Sequence, residues 1–347
     1  MDHRGAPPSY GAASAANDGT HLGRHDDGTP SLWADLIHLS YNMWRDAPLG
    51  KGDDLEHIVA QPYLRFDEVL WGEILDRMAA AGMSMVVLDL GDGVRYESHP
   101  ELAVEGAWTA EKLRDELARA RALGLEPIPK LNFSTAHDAW LGDYSRMVST
   151  PRYYQVCRDL IMEVAALFDS PSLFHLGMDE ETAEHQRHYQ YAVMRQHDLW
   201  WHDLLLLVEA VEQAGSRAWI WSDYVWAHPD EFYRRMPRSV VQSNWYYEPE
   251  FAGERSGSEP EVYEYRRAHL AYVDMAERGY DQVPTGSNWS DPRNFGRTVE
   301  YCTRHIPPER LLGFLQTPWK PTLPECREHH LAAIEQVASA RTAALMG

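Results

Sequence analysis

One property of this chain restricts its fold more than any other: short strand-like stretches and helical patterns alternate along it eight times. The strand-like stretches lie at 36–44, 85–90, 126–133, the first half of 172–181, 217–224, 239–246, 282–289 and 311–319. Helical patterns follow them, over 66–81, 109–123, 150–168, 199–215, 229–235, 260–278, 291–305 and 324–343. Several carry their own boundaries. Thr109, the pair Thr150-Pro151 and the pair Asp291-Pro292 have the residue types that open helices, and Gly82, Gly124 and Gly215 stand where helices close. Regular strand–helix alternation implies a parallel sheet. Eight repeats, with no Gly-x-Gly-x-x-Gly after the first strand, favour a closed (β/α)8 TIM barrel, in the α/β class, over an open dinucleotide-binding sheet. Residues 31–347 are expected to form that one barrel domain. Residues 1–30 are Gly, Ala, Ser, Asp and Pro with almost no aliphatic side chains, and are expected to be a disordered leader.

The charge narrows the partners. A net charge of −21 without a long basic run provides no footprint for nucleic acid and repels an anionic membrane surface. No apolar run approaches the ~18 residues of a span. Cys157, Cys302 and Cys326 are too few and too irregular for a disulfide framework or a C-x-x-C site. With no secretory apolar region near the N-terminus, a cytoplasmic protein is the default expectation, export staying open. The pattern specifies no oligomeric state.

In a barrel of this kind the active site stands at the C-terminal ends of the strands. There the chain places Asn42, Trp44 and Arg45 after strand one, Asp89, Asp92 and Arg95 after strand two, and Asn132 and His137 after strand three. Asp179 and Glu180 follow strand four; Trp221, Asp223 and Tyr224 strand five; Asn244, Trp245 and Tyr246 strand six; Asn288, Trp289 and Asp291 strand seven; Gln316 and Trp319 strand eight. Flat indole faces suit the C–H faces of a sugar, and carboxylates and amides suit its hydroxyls, so a carbohydrate is the expected partner. Two adjacent acids at a strand end can turn into one cavity, where burial and crowding push their pKa values apart and leave one protonated. The other account of the acids is a helix start. No His-x-His closes strand one, and His185, His188, His329 and His330 are expected at the surface, so neither a metal nor another cofactor is expected.

These residues resemble a known family, the family-20 glycoside hydrolases or β-N-acetylhexosaminidases. Its strand-four hallmark, His-x-Gly-x-Asp-Glu, is matched by His175-Leu-Gly-Met-Asp-Glu180. Gly93-Val-Arg-Tyr-Glu97 with His99-Pro-Glu-Leu102 is similar to the family's strand-two segment, and Pro127-Ile-Pro-Lys with Ala136-His137 to its strand three. Trp221-Ser-Asp223, Trp289-Ser-Asp291 and Leu312-Gly with Gln316 and Trp319 resemble its later strands. The resemblance implies that Glu180 is the general acid and base, and that Asp179 orients a substrate 2-acetamido group which itself attacks the anomeric carbon. It further implies that Arg45 binds ring hydroxyls and that Trp245, Trp289 and Trp319 wall the sugar, with Asp92, Arg95, His137, His175, Trp221, Asp223, Tyr246 and Asp291 completing the substrate site. The departures are Asn42 for the strand-one Asp, Lys130 and Asn132 for strand-three acids, Trp289 for a strand-seven Tyr and Pro321 for a strand-eight Glu. No counterpart of the family's preceding α/β domain is expected within these residues. They leave open an altered sugar specificity and a barrel that binds carbohydrate without turning it over.

Overall fold

All eight expected strands form, and all pair in parallel. The structure, a computed structural model, describes residues 32–47, 57–253, 257 and 261–346. The leader expected over 1–30 lies outside these residues, as does most of the acidic loop at 50–57. In chain order the elements are β1 (Leu32–His38), α1 (Glu68–Ala80), β2 (Met85–Asp89), α2 (Ala110–Ala122), β3 (Glu126–Lys130), α3 (Pro151–Leu167), β4 (Leu173–His175), α4 (Ala183–Gln186), α5 (Asp198–Gln213) and β5 (Arg217–Trp221). They continue with α6 (Tyr224–Ala227), α7 (Pro229–Arg235), β6 (Val241–Ser243), α8 (Ala271–Glu277), β7 (Thr285–Gly286), α9 (Asn294–His305), β8 (Gly313–Gln316) and α10 (Arg327–Met346). The continuous ladder runs β6-β5-β4-β3-β2-β1-β8-β7. The circle closes between β6 and β7 through single parallel bridges, Gln242 to Gln282 and Trp245 to Thr285. The result is the expected (β/α)8 barrel.

Strand alternation sorts the core into two layers. Leu32, Ala34 and Leu36 of β1 face the barrel axis with Met85, Val87, Ile128, Leu173, Trp219 and Leu315. Trp33 and Ile37 face outward, into the larger layer under the helices. Helix starts follow side-chain capping: Asp67, Thr109 and Thr150 accept from the backbone N–H groups of Leu70, Lys112 and Tyr153.

Three expected boundaries move. β1 begins at Leu32, earlier than expected, because Asp35 hides the alternation: an acid buried to 0% exposure and held neutral by that burial. It ends at His38, six residues before Trp44, where its pairing with β2 stops opposite Asp89. α9 starts at Asn294, since the Asp291 carboxylate accepts from Arg293 N–H two residues on and makes a turn instead of a cap. The helix expected over 260–278 is a 3₁₀ turn at Tyr265–Leu270 followed by α8, because Tyr263 N–H is taken by Trp226 O.

Candidate active site

The strand-four segment leaves the ladder at His175 and kinks at once. Gly177, Met178 and Glu180 all have positive φ, at 73°, 74° and 56°. For the two that carry a Cβ this costs about 1–3 kcal/mol each. A Cβ at Gly177 would stand 1.9 Å from Asn132 Oδ1, so only glycine fits. His175 is buried; its Nδ1 accepts from Gly177 N–H at 3.0 Å, and its ring packs on Trp219 and Trp221. The hallmark histidine therefore sets the turn from beneath. Burial holds it well below the usual imidazole range, so it is neutral.

The kink brings Asp179 and Glu180 to one cleft of about 300 Å³ at the C-terminal ends of the strands. Trp221, Trp245, Trp289 and Trp319 line it, together with Tyr41, Trp44, Ile58 and Tyr247. Asn132 Nδ2 donates to Asp179 Oδ1 at 3.0 Å, and Ser134 Oγ donates to Asp179 O. His137 Nε2 lies 3.3 Å from Asp179 Oδ2 and 3.1 Å from Glu180 Oε2. His185 Nε2 lies 3.3 Å from the other Glu180 oxygen, Oε1. Asp223 Oδ2 accepts from Glu180 N–H at 2.9 Å, and its Oδ1 takes Trp245 Nε1–H at 3.4 Å.

The electrostatics differ from the expectation. Burial alone would raise the Glu180 carboxyl, but the hydrogen bonds and charges of His137 and His185 outweigh it and hold Glu180 below the ordinary carboxylate range. Burial likewise opposes charge on His137, yet Asp179 and Glu180 raise that imidazole to about 10. The acid kept protonated near neutrality is Asp223, raised to about 7 by burial and by the Asp179 charge. The expected split within the pair Asp179 and Glu180 is not what the site uses: Glu180 is held ionised by its imidazoles, and the neutral acid comes from strand five. The third acid of the string, Glu181, leaves the site: with Asp203 it grips the buried Arg195, whose Nη1 lies 3.1 Å from Asp203 Oδ2.

Other expected residues lie elsewhere. Tyr246 is buried on the helix side, packed on Phe251 and His269, its hydroxyl donating to Glu250 O at 2.9 Å. Asp92 is buried behind strand one, bonded by Ser40 and Asn42, and burial raises it to about 6. Arg95 is exposed. Asp291 pairs with Arg293, Oδ2 to Nη2 at 2.8 Å. Arg45 is half-buried in the loop after β1, where its backbone pairs with Val59, and it does not line the cleft. His185 is exposed as expected, but its contact with Glu180 escaped the sequence reading, though Thr182, three residues before it, caps α4 and so fixes which way His185 points. His330, expected at the surface, is instead buried, where its Nε2 meets Pro321 O.

Among the described residues, His137, Asp179 and Glu180 are the group whose ligand atoms all lie within 4.8 Å of one another. No described helix is long and apolar enough to cross a membrane.

Fold and site together define a barrel with a histidine-backed carboxylate pair in an aromatic cleft. No family model and no curated protein matches the sequence. Solved structures do match the fold. A chitobiase from Flavobacterium johnsoniae superposes with a TM-score of 0.57 at 20% identity, over 81% of this chain and 48% of that one. An exo-β-N-acetylglucosaminidase from Vibrio harveyi, solved with N-acetylglucosamine, gives 0.58 at 13% identity, over 91% and 57%. A β-N-acetylhexosaminidase from Bacteroides fragilis gives 0.58 at 16%, over 88% and 65%. The chain thus spans about half to two thirds of these proteins, and its barrel has the fold of family-20 glycoside hydrolases.

Proposed function

We propose that this protein is a glycosidase acting on a 2-acetamido sugar by a retaining, substrate-assisted route. The observation that carries the reading is Glu180 beside Asp179, with both Glu180 oxygens faced by imidazoles, in a cleft walled by tryptophans. The glycosidic oxygen needs a proton as its bond to the anomeric carbon breaks. Glu180 rests ionised, so the proton it delivers comes from the His137 imidazolium, 3.1 Å away. The substrate's acetamido oxygen forms the new bond to the anomeric carbon. Asp179, pinned by Asn132, faces the positive charge that develops on the acetamido nitrogen. Glu180, again a carboxylate after the first step, takes the proton of the water that opens the cyclic intermediate and passes it back to His137, which restores the resting pair.

The test is turnover of an aryl β-N-acetylglucosaminide against a plain β-glucoside, by wild type and Glu180→Gln. The acetamido substrate should be strongly preferred, and the variant should lose roughly 10²–10⁴ in turnover on a poor leaving group. Equal rates on the two sugars would rule out substrate assistance. Undiminished turnover by the variant would remove Glu180 from its role.

The rim supports a shifted specificity. Position 321 offers a proline, whose carbonyl accepts from His330, and Trp289 stands 51% exposed with Lys320 Nζ 4.7 Å from its ring centroid. Neither supplies the hydrogen bonds that the family's Glu and Tyr make, so chitobiose is expected to be a poor substrate. A kcat/KM on chitobiose at or above ~10⁴ M⁻¹s⁻¹ would show that other groups compensate.

A further inference from the structure

We propose that His137, Asp179 and Glu180 also constitute a binding site for a zinc-class divalent ion, open to the cleft and in competition with its sugar ligand. Tetrahedral zinc holds imidazole nitrogen and carboxylate oxygen at about 2.0–2.2 Å, which sets neighbouring ligand atoms roughly 3.3–3.6 Å apart. His137 Nε2 already stands 3.3 Å from Asp179 Oδ2 and 3.1 Å from Glu180 Oε2. Those two separations need to lengthen by only a few tenths of an ångström, and all three ligand atoms already lie within 4.8 Å of one another. The supports are rigid: Asn132 holds the second Asp179 oxygen at 3.0 Å, and the left-handed backbone at Met178 and Glu180 fixes both carboxylates.

The donor set selects the metal. One nitrogen and two carboxylate oxygens suit zinc and its neighbours in the first transition row, whereas magnesium and calcium require a shell of oxygens. Three protein ligands leave the fourth position to the cleft, where water can enter. Charge agrees once the imidazolium proton of His137 is displaced by the ion: two carboxylates and the resulting neutral imidazole around a divalent cation sum to zero, so binding releases one proton. One element of a tight site is missing, because His137 Nδ1 has no hydrogen-bond partner, and outer-shell partners are worth about 10–100-fold in metal affinity. The site is therefore reversible and chelator-sensitive.

Binding does not depend on the glycosidase reading; the inhibition that follows from it does. Zinc chloride would be titrated calorimetrically into the chelator-treated full chain, with magnesium chloride as control, and a zinc-soaked crystal examined by anomalous diffraction. One ion per chain should bind, with its anomalous peak among Nε2 of His137, Oδ2 of Asp179 and Oε2 of Glu180. His137→Ala should weaken binding at least about tenfold. Asp179→Asn, which keeps the side-chain shape, should do the same if the alanine variant fails to fold. No zinc heat, peaks only at surface histidines, equal binding of magnesium, or undiminished affinity in a folded variant would each overturn the site. In the proposed reaction zinc should raise the apparent KM and leave kcat unchanged. A zinc-free protein with no turnover would defeat the functional reading while leaving the binding result intact.

Discussion

Tyr246 and Tyr247 are chain neighbours on opposite sides of an extended strand end, and only the second reaches the cleft. The Tyr247 hydroxyl accepts from Trp319 Nε1 at 3.0 Å and lies 3.3 Å from Thr317 Oγ, whose own proton goes to Gly286 O. Its own proton is therefore directed at Thr317 Oγ1, and the phenol can turn that proton toward a ligand only by giving up this bond, in a cleft whose strand-seven position carries an indole. Tyr247→Phe should leave the fold intact and lower kcat/KM on an acetamido sugar roughly tenfold to hundredfold. A change below about twofold would mean that the hydroxyl only braces Trp319. At this scale the sequence carried the acids and the tryptophans, because strand ends and residue types are local facts. It did not carry Tyr247 in place of Tyr246. That choice depends on parity, and parity depends on where β6 ends, which is at Ser243 and not at the last apolar residue.

Elements were more legible than their limits. Helix caps at Thr109 and Thr150 stand where the sequence places them, since a hydroxyl capping its own helix is settled within four residues. Strand lengths are settled by partners far away in sequence; β4 and β6 have three residues each and β7 two, all shorter than their apolar runs. The link from β4 to α5 depends on a further feature invisible in the pattern, the fully buried Arg195 between Glu181 and Asp203. Its Nη2 also donates to Phe133 O at 2.7 Å, tying the end of β3 to the same node. Arg195→Ala leaves two buried carboxylates without their counter-charge. It should cost about 3–5 kcal/mol, read as a lower urea midpoint, and should loosen the loop carrying Asp179 and Glu180. A midpoint within error of wild type would show that water relieves the two acids.

Across the whole molecule, the barrel interior holds a charged layer beneath the cleft. Lys130 Nζ lies 2.6 Å from Asp89 Oδ2, and His38 Nδ1 lies 3.2 Å from the same oxygen. Burial raises the Asp89 carboxyl, but the Lys130 charge and the adjacent His38 imidazole overcome it and hold the group at about 2. A carboxylate lowered from its usual ~3.9 stabilises the fold at higher pH, by about 2–3 kcal/mol here, and loses that contribution as pH falls toward 2. Asp89→Asn should therefore be less stable than wild type at neutral pH and lose less further stability below pH ~4. Identical acid slopes for the two proteins would place the acid sensitivity elsewhere. The layer rests on pairs drawn from different strands, β2 with β3 and β1, so no stretch of sequence announces it. The barrel's closure has a similar origin and a mechanical consequence. Between β6 and β7 the circle is joined by isolated bridges, and the two banks of that join carry Trp245 and Trp289, both of which line the cleft. A hoop yields at its thinnest joint. When this one breathes, the gap widens between those two rings, so backbone amides along the join should exchange with solvent deuterium sooner than those of β1 and β2, and a bulky ligand would enter through that gap.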